Sequence, residues 1–252
     1  MLLIIKMFKY KVSLKKPMNS AEIINVVAFI IFLLCVLIYS VKLLYGIKKP
    51  GTAKRGFLNI FYGLWVTRVI NTEDTIIAIQ TMRNLIMTVT FLSSSMLVLL
   101  GLLIRIPSNG LDELLYFSAT STEIIAQLKL LLFVGVLIFS VIMFLLSLRQ
   151  MVRFTILVGI PNDSFSNICV HNINSNNDEI TQDHIDPVAL RKDVFLRAMN
   201  RFTFGIRAVF YGITIILWFI SVYAFIIGTI SLTAFLILYQ DIKTPCLEDI
   251  PI

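Results

Sequence analysis

Only one stretch of the chain gathers side chains able to ligate a metal or move a proton. His171 and His184, the two histidines, fall between residues 161 and 186 with Cys169, Asp178, Glu179, Asp183 and Asp186. Structural zinc sites need such ligands in closely spaced pairs, and these are scattered. Half of the 26 residues in the stretch are Asn, Asp or Ser, a composition that favours turns in water over a packed core. The reading is a solvated, irregular loop that holds no metal. Nothing in the chain matches a nucleophile elbow, a paired-histidine metalloprotease helix, a phosphate-binding loop or a dinucleotide glycine pattern. The sequence therefore predicts no enzyme and no cofactor. Cys35, Cys169 and Cys246 lie in separate regions and suit neither a disulfide nor a metal motif.

Other chemistry-bearing residues stand inside apolar runs. Thr81, Asn84, Thr88 and Ser95, with Ser93 and Ser94 beside them, interrupt one run; Arg207, Tyr211, Thr214, Trp218 and Ser221 follow at alternating intervals of four and three along another. That spacing puts each set on one helix face. Small polar residues on facing membrane helices hydrogen-bond across the gap, so the two faces are expected to meet, Thr88 near Thr214. Arg207 is expected at the membrane boundary, its charge near water and its stem packed inward. Acidic residues, the usual mark of a proton or cation path, are missing from these runs.

The elements that carry these faces follow from composition. The 252 residues are 58% hydrophobic and 15% charged, against about 45–50% and about 25% in soluble domains. Runs without charge cover 23–41, 84–104, 130–148 and 208–240, and each reaches the roughly 20 residues that cross a bilayer. The predicted fold is all-α, an integral membrane bundle of four transmembrane helices with amphipathic interfacial and cytoplasmic helices. It forms a single domain over 1–252 with spans at about 23–45, 84–104, 129–148 and 208–228. The net charge of +7 then reports orientation and not nucleic acid. Of the 22 Lys and Arg, fourteen fall in loops 46–83 and 149–207 or at their edges, and eight on the other side. The positive-inside rule makes those two loops cytoplasmic and both termini extracytoplasmic in the cell membrane. Five early lysines, Lys6 to Lys16, dissent, and Met18 offers an alternative start that removes them.

Between the spans, 53–70 reads as an amphipathic helix with Phe57, Phe61, Leu64, Trp65 and Val69 on one face and Lys54, Arg55 and Arg68 at its margins. It either lies in the membrane interface or packs on the ends of the spans. One helix is predicted over 72–104, and a mildly amphipathic surface segment over 111–127. Asp186 and Pro187 open a basic helix, the first as cap and the second in the first turn, that runs into the last span. That span exceeds one crossing, so Gly228 is taken as its break, after which 229–240 tilts, re-enters or extends.

The order of these residues resembles a membrane protein family of bacteria and plants catalogued as domain of unknown function 599. Trp65 and Arg68 precede a block of Gln80, Thr81, Arg83, Asn84, Ile86 and Met87; Arg149 ends a span, and Gly205, Arg207 and Tyr211 lead to Trp218. The chain departs from the family at Ile206, where an asparagine is usual, at 213–216, which lacks a proline, and in the Asn-rich loop. The resemblance implies a multi-pass membrane protein and supplies no activity. Two functions remain open: a non-catalytic subunit or scaffold whose cytoplasmic helices bind a partner or anionic lipid, and a small channel or carrier working as an oligomer. The expected partners are the bilayer and other membrane subunits or a second copy, with no nucleic acid.

Overall fold

The computed structural model describes residues 20–48, 54–72, 75–105, 123–161, 169–172, 181–184 and 186–240. The early lysines, the breaker at 49–53, most of the segment at 111–127, most of the Asn-rich loop and Cys246 lie outside them. Six α-helices carry the architecture: α1 (Ser20–Lys48), α2 (Lys54–Asn71), α3 (Thr75–Arg105), α4 (Glu123–Val158), α5 (Pro187–Ile220) and α6 (Val222–Phe235), the last continued by a π-turn, Leu236–Gln240. α1, α3, α4 and α5 are long and apolar enough to cross a membrane, and the all-α bundle expected from composition is what forms.

α4 and α5 make the central pair. Nine of the buried residues of α4 (Ala126, Lys129, Phe133, Leu137, Ser140, Phe144, Ser147, Met151 and Phe154) recur at intervals of three and four, with Ile125, Val141 and Gln150 buried beside them, the period that keeps one stripe facing a neighbouring helix. α5 answers with Arg191, Phe195, Ala198, Gly205, Ala208, Ile215 and Trp218. The two run antiparallel, because Lys129 near the start of α4 meets Trp218 near the end of α5, and Arg191 near the start of α5 meets Leu157 in the last turn of α4 and Ile160 just beyond it. At 1.5 Å per residue each helix is about 50 Å long, so the pair overreaches a hydrocarbon layer of about 30 Å.

The other helices clothe this pair in two storeys. At one end α1, α6, the first half of α4 and the second half of α5 enclose Phe32, Tyr39, Phe133, Tyr211, Trp218 and Phe225. At the other, α2 and the first half of α3 close over Met151, Phe154, Phe195 and Ala198, with Val66, Ile70 and Met82 facing inward. α5 begins as expected: Asp186 Oδ1 accepts from the Val188 N–H at 2.9 Å, and Pro187 occupies the first turn. Among the described loop residues, Cys169–Asn172 pairs antiparallel with Thr181–His184, a small hairpin where an irregular loop is predicted.

Three expectations need correction. The last apolar run breaks at Ser221 and not at Gly228: Ser221 is extended (φ −156°, ψ 137°) between α5 and α6. α6 then doubles back along α5, stacking Phe225 on Trp218 with ring centroids 4.6 Å apart and setting Thr233 Oγ1 3.3 Å from the Tyr211 hydroxyl. Gly228 serves this close return, since a Cβ there would lie 2.8 Å from Leu217 Cδ1. Second, α1 and α6 both run away from the Trp218 end, so Ser20 and Gln240 lie toward opposite ends of the bundle. Third, the polar faces of α3 and α5 do not meet. Thr88 is exposed and Thr214 buried; α3 packs on α4, and α5 turns that face to α1 and α6. Thr81, Thr88 and Ser95 each donate to a carbonyl four residues back in their own helix, so they need no partner helix.

In a background with Cys35, Cys169 and Cys246 replaced by Ser, the pair Leu217→Cys and Gly228→Cys should cross-link efficiently within one chain in membranes, using a short thiol-reactive linker. The pair Thr88→Cys and Thr214→Cys should not. Cross-linking at the second pair and not the first, scored by gel mobility after cleavage between the sites, would reinstate the α3–α5 contact.

Candidate functional site

Ionisable groups inside a membrane bundle are costly and mark the places where chemistry or structure demands them. Three stand out. Lys129, 2% exposed, donates from Nζ to the Trp218 carbonyl at 3.2 Å and sits 5.3 Å from the Trp218 ring centre. Helix ends leave carbonyls without intrahelical partners and carry partial negative charge, so Lys129 is a cap for α5. The Trp218 Nε1–H donates to Asn25 Oδ1 at 3.0 Å, which ties α1 to the same knot. Arg191, also 2% exposed, donates from Nε to the Leu157 carbonyl at 3.0 Å and from Nη2 to that of Ile160 at 2.5 Å, capping α4. These two cations are structural.

The third is different. Arg207 lies on α5 about 20 Å from its Ile220 end, within bilayer depth if that end marks the far surface. Its Nε and Nη1 atoms are buried and have no hydrogen-bond partner among the described residues. The Tyr39 ring of α1 lies 5.5 Å away, centre to guanidinium carbon. Tyr39 in turn packs on Tyr211 with ring centroids 6.3 Å apart. Tyr211 reaches Thr233 on α6, whose hydroxyl donates to the Thr229 carbonyl at 2.7 Å. The Thr229 hydroxyl itself is buried without a partner among the described residues. The Tyr39 ring of α1 thus faces the guanidinium, Tyr211 and Thr233 continue from that ring toward Trp218, and no carboxylate lies in 23–41 or 208–240. The stem of Arg207 packs inward as expected, with Nε and Nη1 buried, while the residue keeps part of its surface open.

The other singled-out residues are spread over the molecule. Gly205 is buried where α5 crosses α4; Ser140 donates to its carbonyl at 3.2 Å, and Ser147 donates to that of Ala198 at 2.8 Å. Trp65 is half-buried against Phe195, ring centroids 5.4 Å apart. Gln80, Arg83, Asn84 and Met87 line the exposed face of α3, with Met87 62% exposed, and Arg68 and Arg149 are exposed as well. The structure therefore gathers Arg207 and Tyr211 into one cluster, leaves Trp218 at the adjoining knot, and does not bring the α3 block to them. Asn25, Tyr39, Lys129, Arg191, Thr229 and Thr233 were not singled out by sequence. Lys129 and Arg191 count there only as loop charges, Lys129 because it borders the run 130–148 and Arg191 because it lies in the basic stretch 149–207. Among the described residues no group of three His, Cys, Asp or Glu side chains could hold a metal.

The family described as "Protein of unknown function, DUF599" matches residues 27–244, and the chain belongs to it. No curated protein and no solved structure matches the chain. The match takes in α2 through α6 and all but the first turns of α1, so the Arg207 cluster and both caps lie largely within the family's extent.

The α4–α5 crossing yields a stability test. A Cβ at Gly205 would meet the Phe144 ring at 2.6 Å, whereas one at Gly135 meets nothing within 4 Å. Overpacking a tight site costs about 1–3 kcal/mol, while Gly-to-Ala in an open helix position gains up to about 1 kcal/mol. Gly205→Ala should lower the detergent-solubilised Tm and Gly135→Ala leave it level or raised; equal shifts would contradict the crossing.

Proposed function

We propose that this protein is a non-catalytic component of the cell membrane, a scaffold or subunit whose loop-bearing end holds the anionic cytoplasmic leaflet and a membrane partner. The observation that carries this reading is α2. Its inner side, with Gly63, Val66 and Ile70, is buried, and Tyr62 and Trp65 pack on Phe195 of α5; Leu58, Phe61 and Leu64 stay exposed along its other side with Arg68 nearby. Of the two alternatives for the amphipathic segment, α2 packs on the bundle, and its exposed apolar edge supports placing that edge against lipid as well. The segments of α3, α4 and α5 at the same end expose Arg83, Arg149, Arg153, Lys192 and Arg197. Described acids there are few; Asp193 is taken by Arg197 at 2.8 Å. Each basic side chain near an anionic surface contributes about 1 kcal/mol.

On this reading the loops after α1 and α4 are cytoplasmic, as their fourteen Lys and Arg favour. Because α6 returns toward that end, this reading puts Gln240 on the cytoplasmic side and Ser20 on the outer side, in place of the expectation that both ends share the outer side.

Two measurements test the proposal. Native mass spectrometry of the full chain in mild detergent should show phosphatidylglycerol retained over phosphatidylcholine, with retention falling about tenfold or more when Arg68, Arg83, Arg149 and Arg153 are changed to Gln, in line with losing a few kcal/mol of surface attraction. Equal retention of the two lipids, or solute flux through reconstituted vesicles, would favour the channel reading instead. An impermeant thiol reagent on intact cells should spare both Cys169 and Cys246 and modify a cysteine introduced at Asn19. Modification of Cys246 alone would restore the outer C-terminus.

A further inference from the structure

We propose that Arg207 is the anchor of an anion-binding site inside the bundle, taking the phosphate or carboxylate group of a ligand between α1, α5 and α6. This is independent of the leaflet-holding role of α2.

The argument begins with an imbalance. A guanidinium has five N–H donors and no acceptor. Three of them, on Nε and Nη1, are buried here with no acceptor among the described residues. The Tyr39 ring face at 5.5 Å offsets part of the charge through its quadrupole but accepts none of those protons. Nearby acids are wanting: Glu22 is at the far end of α1, beside the Asn25–Trp218 knot, and Asp193 lies about 20 Å along α5, already paired with Arg197. Lys129 and Arg191 show how this fold treats a buried cation when its purpose is structural, with carbonyls at 2.5–3.2 Å. Arg207 has no such carbonyl among the described residues. A buried, uncompensated charge is strongly destabilising unless a partner supplies the missing electrostatics.

The Tyr211 and Thr233 hydroxyls, 3.3 Å apart one turn along α5, are already engaged, Thr233 donating to the Thr229 carbonyl and accepting from Tyr211, so the donors left for a ligand are those of the guanidinium itself. Arginine is the side chain suited to phosphate and carboxylate, which accept several of its N–H groups at once. The side chain as a whole keeps part of its surface open, so a ligand can reach it without unfolding the bundle. An acidic lipid headgroup and a free anion share this chemistry.

The test uses the full chain in a neutral, mild detergent and follows thermal unfolding with short-chain phosphatidylglycerol, short-chain phosphatidylcholine or inorganic phosphate. Saturating phosphatidylglycerol should raise the Tm by about 5 °C or more, and phosphatidylcholine should not. A rise with phosphate as well identifies a free-anion site, and a rise with the lipid alone assigns the headgroup; both support the proposal. Arg207→Met should match or exceed the wild-type Tm without anion, because it removes an uncompensated charge, and should lose the rise; Thr90→Ala, on the exposed face of α3 where the hydroxyl donates only to its own helix, should keep it. If Arg207→Met does not accumulate, Arg207→Lys, which retains charge without the planar donors, should lose about half of the rise or more. A wild type indifferent to both anions, as expected if a carboxylate of the chain already serves Arg207, overturns the proposal. So does a rise undiminished in the Arg207 variant tested.

Discussion

The antiparallel pair of α4 and α5 depends on a reciprocal exchange: each helix, near its start, lends a cation to the other's end. Lys129 closes the carbonyl end of α5 and Arg191 that of α4. In lipid a helix end without partners is costly, because no water reaches its carbonyls. The exchange therefore fixes the relative length, direction and register of both helices at once. Between the caps, Ser140 and Ser147, two turns apart, donate to the carbonyls of Gly205 and Ala198, also two turns apart. Such interhelical bonds contribute only about 0.6 kcal/mol each. Their arrangement requires small residues at the crossing, and that is where Gly205 lies under Phe144.

The cap at Trp218 also decides the path of the chain beyond it. With α5 closed there, the chain leaves through an extended Ser221, and α6 folds back against α5 instead of prolonging it. Beside that return Arg207 meets Tyr39, Tyr39 packs on Tyr211, and Tyr211 reaches Thr233 of α6. At the opposite storey α2 covers the same pair with one side while keeping an apolar edge outward. The Arg207 cluster and the basic, loop-bearing end are thus both consequences of one long helix pair capped from within.

Much of the architecture is legible in the sequence because burial in lipid is written in composition: uncharged runs, their lengths and the cap at Asp186 need only local chemistry. The hinge is not, because Ser221 ends α5 through a lysine 89 residues distant from Trp218. Glycine misleads at Gly228 for a related reason; its missing side chain serves the approach of Leu217 and not a turn. The hydroxyls of α3 mislead differently. Their spacing suggests a partner face, yet each is satisfied by its own preceding turn, an option open to any Ser or Thr in a helix. For the candidate site, the four-three spacing of Arg207, Tyr211, Thr214 and Trp218 does mark one buried face. The helices that face it, α1 and α6, are set by the hinge and so stay hidden until the fold is known.

Hydrogen exchange on the purified protein tests the reciprocal capping most directly. Replacing Lys129 by Met should speed amide exchange over the last turn of α5 and at Ser221 while leaving 154–160 as protected as before. Replacing Arg191 by Met should do the reverse, loosening the end of α4 and sparing Trp218 and its neighbours. Exchange that is unchanged in both variants, or that rises equally at both ends in each, would contradict the account.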